Sequence, residues 1–337
     1  MWHFEPLRPG RNTCRAEKYE FAHGNDSICA YDINSLDFIT EIPVGKTPDC
    51  HAATISNKYL YVACMDGLYI IDQQTLSVCK ILQTGPVYAT NTLPYGDVML
   101  VHDLRGGIYV IKDIDDMGKV HIHKHLDILH EMAQKETRVE LGGKGNFLAG
   151  DRYYLCAGWK SSRLFTIDIE NDYAWEEFMP EMHELYLGDD LVITADKKKA
   201  FIACHRDFDV SYVAVVDLKN RVVKKTIVTG RGTCGLTMTA DELYVIASND
   251  ADDSISVIDA EKEAVINTLC AREGFNKLGY EKGYIQGISA ASDDSIFVYE
   301  CSGIGAVVRF EDITGKGTYV VSCKQGKAEG QCMYTMI

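Results

Sequence analysis

The chain is patterned in pairs of short alternating runs. Residues 255–269 read ISVIDAEKEAVINTL, residues 213–227 read VAVVDLKNRVVKKTI and residues 28–42 read ICAYDINSLDFITEI. Each has an apolar–polar alternation closed by Asp, a few polar residues, then a second alternation. Residues 68–82, LYIIDQQTLSVCKIL, and 164–169, LFTIDI, repeat the pattern. A period of two bounded by Asp- and Asn-rich segments predicts antiparallel strand pairs. The recurring Asp is suited to accept hydrogen bonds from backbone N–H groups of the turn after it. A second strand pair lies upstream. YLYVAC (59–64), AFIACH (200–205) and ELYVIAS (242–248) each follow a short run carrying Thr or Ser: HAATIS (51–56), DLVITA (190–195) and CGLTMT (234–239). Four strands recurring at roughly 40 residues match one blade of a β-propeller.

Complete four-strand units fall at 49–84, 87–127, 143–180, 189–229, 233–270 and 284–324. Residues 18–44 hold three further strands with no innermost strand before them. The C-terminal EGQCMYTMI contains CMYTM, which matches the innermost-strand sequence CGLTM at 234–238. The reading is therefore an all-β, seven-bladed propeller in one domain spanning 1–337, with four-stranded antiparallel blades and the C-terminal strand completing the N-terminal blade. Such closure removes open sheet edges. Leu126, Leu129 and Met132 recur at helical spacing, which predicts a short helical insertion near 123–137. Residues 270–286 form a longer connection ahead of the last blade.

Composition narrows the partners. The chain has 337 residues and a formal net charge of -15. An anionic surface repels phosphate backbones and anionic lipid, so neither nucleic acid nor membrane is an expected partner. No run approaches the ~18 consecutive apolar residues of a membrane span. The N-terminal segment has no apolar core behind a basic start, as a secretory signal would. Of the twelve cysteines, Cys64, Cys156 and Cys204 sit inside apolar strand patterns. They read as reduced core thiols of a cytoplasmic protein.

Propeller ligands meet the loops around one mouth of the central channel. Aligning the innermost strands on their Thr/Ser positions brings His51, Ala89, Asn146, Asp189, Cys234, Gln286 and Cys332 to that mouth. Aligning the ends of the second strands adds His23, Cys64, His102, Gly158, Cys204, Ser248 and Glu300, followed by Asp103, Trp159, His205, Asn249 and Cys301. The adjoining loops add Arg105, Arg163 and Arg206, and Tyr88, Trp159 and Tyr284 wall the pocket. Imidazoles beside acids suit acid–base chemistry near neutral pH. They equally suit one divalent metal ion, with His51, His102 and Glu300 as its ligands. His51, His102, His205, Asp189 and Glu300 are thus the catalytic candidates. His23, Tyr88, Arg105, Asn146, Trp159, Arg163, Arg206, Cys234, Tyr284, Gln286 and Cys332 are the substrate-binding candidates. The arginines suit a carboxylate or phosphate. The run His121-Ile-His123-Lys-His125 has the spacing of a metal tract and also that of a solvent-facing strand edge, and reads as the latter. GGKGN (142–146) leads into a strand, so it lacks the helix N-terminus a phosphate loop needs. No nucleotide, flavin or haem is expected.

The unit ISVIDAEKEAVINTL, with ELYVIAS ahead of it, resembles the YVTN-type propeller repeat, at blade level over most of the chain. That resemblance implies the fold; this repeat class hosts surface proteins, binding scaffolds and enzymes alike. DCHAATISNKYLYV (49–62) is similar to a strand pair of bacterial 6-phosphogluconolactonase propellers. The other blades carry no Gly-Pro-Arg-His pattern; their nearest counterpart is GRGTCGL (230–236). Size and a central channel also resemble virginiamycin B lyase. These likenesses imply a lactonase- or lyase-like enzyme. It would carry out hydrolysis, elimination or isomerisation of an anionic or lactone-like small molecule bound in the channel. The alternative is a non-catalytic propeller scaffold for a protein or peptide partner.

Overall fold

Strands form where apolar residues run on, and their burial follows their place in the blade. Second and third strands are buried on both faces, as in Tyr59–Cys64 and Ser27–Asp32. Outermost strands such as Ser77–Leu82 and His121–Leu126 alternate between exposed and half-buried positions. The computed structural model describes residues 18–48, 50–54, 56–92, 97–103, 107–128, 145–148, 152–157, 164–179, 186–206, 210–277, 285–290, 295–300, 306–315, 318–323, 326–327 and 332–333.

These residues form seven antiparallel sheets in chain order, the seven blades of the propeller. The first is Tyr19–His23, Ser27–Asp32 and Phe38–Pro43. The second is Cys50–Ala53, Tyr59–Cys64, Gly67–Asp72 and Ser77–Leu82. The third is Val87–Thr92, Val98–Asp103, Ile108–Lys112 and His121–Leu126. The fourth and fifth open with Gly145–Leu148 and Tyr186–Ile193, the sixth and seventh with Thr233–Met238 and Ile285–Ala290. Arg272–Lys277, in the connection before the seventh blade, is a short helix. Among the described residues no helix is long and apolar enough to cross a membrane.

The core is distributed between blades. Leu60, Val62 and Cys64 pack back against Phe21, Ile28 and Ala30 of the first blade. Their alternate neighbours Tyr61 and Ala63 pack forward against Val87, Met99 and Val101 of the third. The same arrangement continues around the ring to Ile246 and Ile255 against Ile288 and Val298. Phe297 and Val307 of the seventh blade then pack on Ala22, Cys29, Tyr31 and Leu36 of the first. Each fully buried Val, Leu, Ile, Phe or Met among them contributes about 1.5–3 kcal/mol.

That last cluster closes the ring and corrects one expectation. Cys332–Met333 does not complete the first blade. It pairs with Tyr319 and Thr318 on the outer strand of the seventh, beside the hairpin in which Ser322 faces Lys327. The first sheet has three described strands. Cys332–Met333 follows Thr318–Cys323 closely in the chain, so pairing at the adjacent edge of its own blade carries little loop-closure cost. Closure by apolar faces is reinforced by Arg309, whose Nη1 donates to the Asn34 carbonyl at 2.5 Å. The helical insertion is corrected at its near end. Residues 121–126 are the outer strand of the third blade, because alternation there outweighs the helical spacing of three apolar residues. Residues 129–144 lie outside the described residues.

The recurring Asp performs the turn role expected of it. Asp32 Oδ1 accepts from the N–H groups of Asn34 and Ser35 at 2.9 and 2.8 Å. Asp72, Asp217 and Asp259 do the same in their blades. Four residues after each Asp the backbone is left-handed, at Leu36, Leu76, Arg221 and Glu263, with φ of 57, 50, 55 and 55°. That conformation is unfavourable for residues with a β-carbon, and the Asp-held turn sustains it. The same N–H groups hold two carboxyls below the ordinary value: Ser35 and Asn34 act on Asp32, and Asn220 acts on Asp217.

Two outcomes follow. A carboxyl with a depressed folded pKa contributes stability above its unfolded pKa, and that contribution is lost as pH falls through the folded value. The amide protons of Ser35 and Asn220, followed by NMR, should therefore titrate with midpoints below 3.8; midpoints at or above that value would refute the turn assignment. Phe297→Ala should lower unfolding free energy by about 3–5 kcal/mol, measured by denaturant titration. A loss below 1 kcal/mol would show that ring closure does not rest on this face.

Candidate functional site

Turns joining first to second and third to fourth strands point to one face of the ring. The loops from second to third strand, and from each blade to the next, share the other. Strand register decides which residues meet there. Counting from the residue opposite each turn position, Tyr19 faces Asp32, Tyr59 faces Asp72, Val98 faces Lys112 and Tyr244 faces Asp259. The fifth residue of these strands is then His23, Ala63, His102 and Ser248. The sixth in the latter three is Cys64, Asp103 and Asn249. The alignment from sequence placed His23, His102 and Ser248 level with Cys64, which the structure corrects by one residue. The inner-strand ring shifts likewise. Register breaks at Val87/Ala89, Leu187/Leu191, Thr233/Gly235 and Ile285/Gly287, and a bulge adds a residue that no pattern of alternation reveals. A slip of one turns a side chain to the opposite face.

The corrected register groups the histidines. His23 and His102 occupy equivalent positions, and both reach forward to the following blade. The His23 imidazole Nε2 lies 2.9 Å from Nδ1 of His51 in the second blade, with ring centroids 4.9 Å apart at 84°. His51 is 1% exposed, its ring also edge-on to Phe21, while His23 is partly exposed. His102, 2% exposed, meets the Tyr154 hydroxyl of the fourth blade at 2.7 Å. The two pairs thus stand at different blade interfaces. At the sixth position Asp103, also buried, turns away from His102. Its Oδ1 accepts from Gly107 N–H at 2.9 Å and its Oδ2 meets His125 Nε2 at 2.7 Å. A β-carbon at residue 107 would collide with both groups.

The remaining candidates divide by what the structure describes. Cys234 is buried, its thiol 3.8 Å from the Ser248 hydroxyl and 3.8 Å from the Ile285 carbonyl. It packs against the channel-side wall of its own and the following blade. Tyr88, Asn146, Asp189, His205, Arg206, Gln286, Glu300 and Cys332 lie in strands, and their side chains fall outside the description. Arg105, Trp159, Arg163 and Tyr284 lie outside the described residues. Sequence reasoning passed over Asp190. It is fully buried, and its carboxylate accepts from its own strand at Leu191 and across the interface at Leu236. An acid inside the apolar run DLVIT was the available signal. It also passed over Tyr154 and the partnership of Asp103 with His125.

Among the described residues no three His, Cys, Asp or Glu side chains are grouped to hold a metal ion. His51 and His102 each engage a neighbour through a ring nitrogen and stand at separate interfaces. The described geometry brings the imidazoles of His23 and His51, and not those of His51 and His102, within hydrogen-bonding distance.

No family model matches the chain, and no curated protein sequence matches it. Solved structures do. Kuenenia stuttgartiensis hydrazine synthase is similar at a TM-score of 0.67 and 14% identity, over 91% of this chain and 97% of that one. The β-propeller domain of Cps50 (Swd1) from Myceliophteria thermophila is similar at 0.61 and 11%, over 88% and 95%. The dihydro-heme d1 dehydrogenase NirN in complex with DHE is similar at 0.60 and 15%, over 97% and 68%. At these identities the likeness carries the fold alone.

Because His102 and Tyr154 are both buried, their hydrogen bond should register in stability. In a double-mutant cycle of His102→Ala and Tyr154→Phe, measured by urea unfolding, the coupling should be on the order of 0.5–3 kcal/mol. Zero coupling would mean that the contact contributes nothing to joining the third and fourth blades.

Proposed function

We propose that the protein is an enzyme acting on a small anionic or lactone-like molecule at the loop-bearing mouth of the channel. His23 is its acid–base group and His51 the residue that positions it. The supporting observation is the 2.9 Å imidazole–imidazole contact between a partly exposed ring and a buried one. Two imidazoles joined in this way share one donor and one acceptor nitrogen. The pair takes up one proton readily, and a second sets two N–H groups against each other, so the two rings titrate as a unit. A group that passes a single proton near neutral pH suits hydrolysis, elimination or isomerisation. His51 fixes the orientation and tautomer of His23, much as a carboxylate does for a catalytic imidazole. An anionic substrate requires positive charge, and the sequence alignment assigns Arg105, Arg163 and Arg206 to supply it. Ligand binding in concave sites held by rigid elements is the common use of such scaffolds.

The test is turnover of a panel of sugar lactones, aryl esters and β-elimination substrates across pH 5–9. His23→Gln and His51→Gln should each lower kcat/KM by about 100-fold or more and flatten the acidic limb of the pH profile. His121→Ala, on the outer edge of the third blade, should leave turnover unchanged. Absence of turnover across the panel, or turnover indifferent to both substitutions, would overturn the reading.

A further inference from the structure

The outer strand of the third blade, His121–Leu126, presents histidines to solvent at every second residue. Two of them form an arrangement with its own chemistry. The rings of His121 and His123 are neighbours, centroids 6.0 Å apart at 81°. The Nδ1 of His121 lies 3.1 Å from the Lys119 carbonyl and 3.3 Å from Asp113 Oδ2. Both are acceptors, so Nδ1 carries the hydrogen and Nε2 carries the lone pair. A carboxylate or carbonyl behind one ring nitrogen is the usual outer support of a metal-binding imidazole, since it fixes tautomer and orientation and raises basicity. His123 has no hydrogen-bond partner among the described residues. Its ring stands between those of His121 and Tyr173.

Register explains why these two rings act together. The pairing of Ile108–Lys112 with His121–Leu126 breaks between Val110 and Ile111, so that Val110 faces Lys124 and Ile111 faces Ile122. His123 is the extra residue of this bulge, and a bulge re-aims the side chain it carries. His125 is differently engaged. Its Nε2 is held by Asp103 and its ring lies over Tyr109, centroids 4.3 Å apart.

The geometry points to a surface chelate for a divalent transition ion such as Zn2+, with His121 and His123 as its protein ligands, Asp113 orienting His121, and water completing the coordination. It is separate from the His23–His51 pair in residues, blade and chemistry. Imidazole nitrogen is a preferred donor for Zn2+, Ni2+ and Cu2+ and a poor one for Mg2+ or Ca2+.

The experiment is calorimetric titration of the full chain with Zn2+ alone at pH 7.5, with histidine ring nitrogens followed by NMR. The His121 and His123 rings should shift together on saturation. His121→Ala and His123→Ala should each weaken that binding at least tenfold, and Asp113→Asn by about tenfold. His125→Ala should leave it unchanged, and Mg2+ should not compete. His121, His123 and His125 are on the blade edge and Asp113 lies in the connection before it, so circular dichroism of the variants should match the parent. Zn2+ affinity indifferent to His121→Ala and His123→Ala, or weakened equally by His125→Ala, would overturn the site. So would ring shifts at other histidines only.

Discussion

Apolar packing between the faces of neighbouring blades is the constraint from which the rest of this structure follows. A four-stranded sheet with both central strands apolar cannot stand alone in water; it needs a sheet on each side. Leu60 and Val62 serve one neighbour, Tyr61 and Ala63 the other. Repetition of this arrangement leaves an apolar face at each end of the chain. The packing of Phe297 and Val307 against Tyr31 and Leu36 buries both. The ring is thus closed by side-chain burial, and the short C-terminal strand adds to the rim of the last blade.

Polar groups inside such interfaces persist only where each finds a partner across the seam. His102 meets Tyr154, His51 meets His23, and Asp190 collects backbone N–H groups from its own blade and the next. These contacts share one geometry, in which a side chain near the loop-bearing end of one blade reaches the following blade. Equivalent positions elsewhere hold Ala63 and Ala203, which fill the same space without polarity. The chemistry of the mouth is therefore a local substitution within a packing position. That explains how a repeated scaffold comes to carry an imidazole pair at one seam only among those described.

The two faces of the ring obey different rules. On one, Asp-held turns fix the backbone in a conformation repeated from blade to blade, including left-handed residues such as Leu36 and Arg221. On the other, loop lengths differ and bulges displace the entering strands. Variation is tolerated there because the inter-blade core lies below it, and the same variation allows His23 to meet His51 at one seam and His102 to meet Tyr154 at another.

By itself, the sequence determined the blade count, the strand order within blades and the role of the turn aspartates. Those features are local: a period of two and an Asp followed by polar residues are written within a dozen positions. It also brought His23 and His51 to the same mouth. It did not place them in contact, nor separate His102 from them, because bulges shift register by one residue and leave no mark in hydrophobic alternation. Pairing of the C-terminal strand was likewise a tertiary decision. Its sequence is compatible with an inner or an outer edge, and what selects between them is the distance the chain must cross and the edge already at hand.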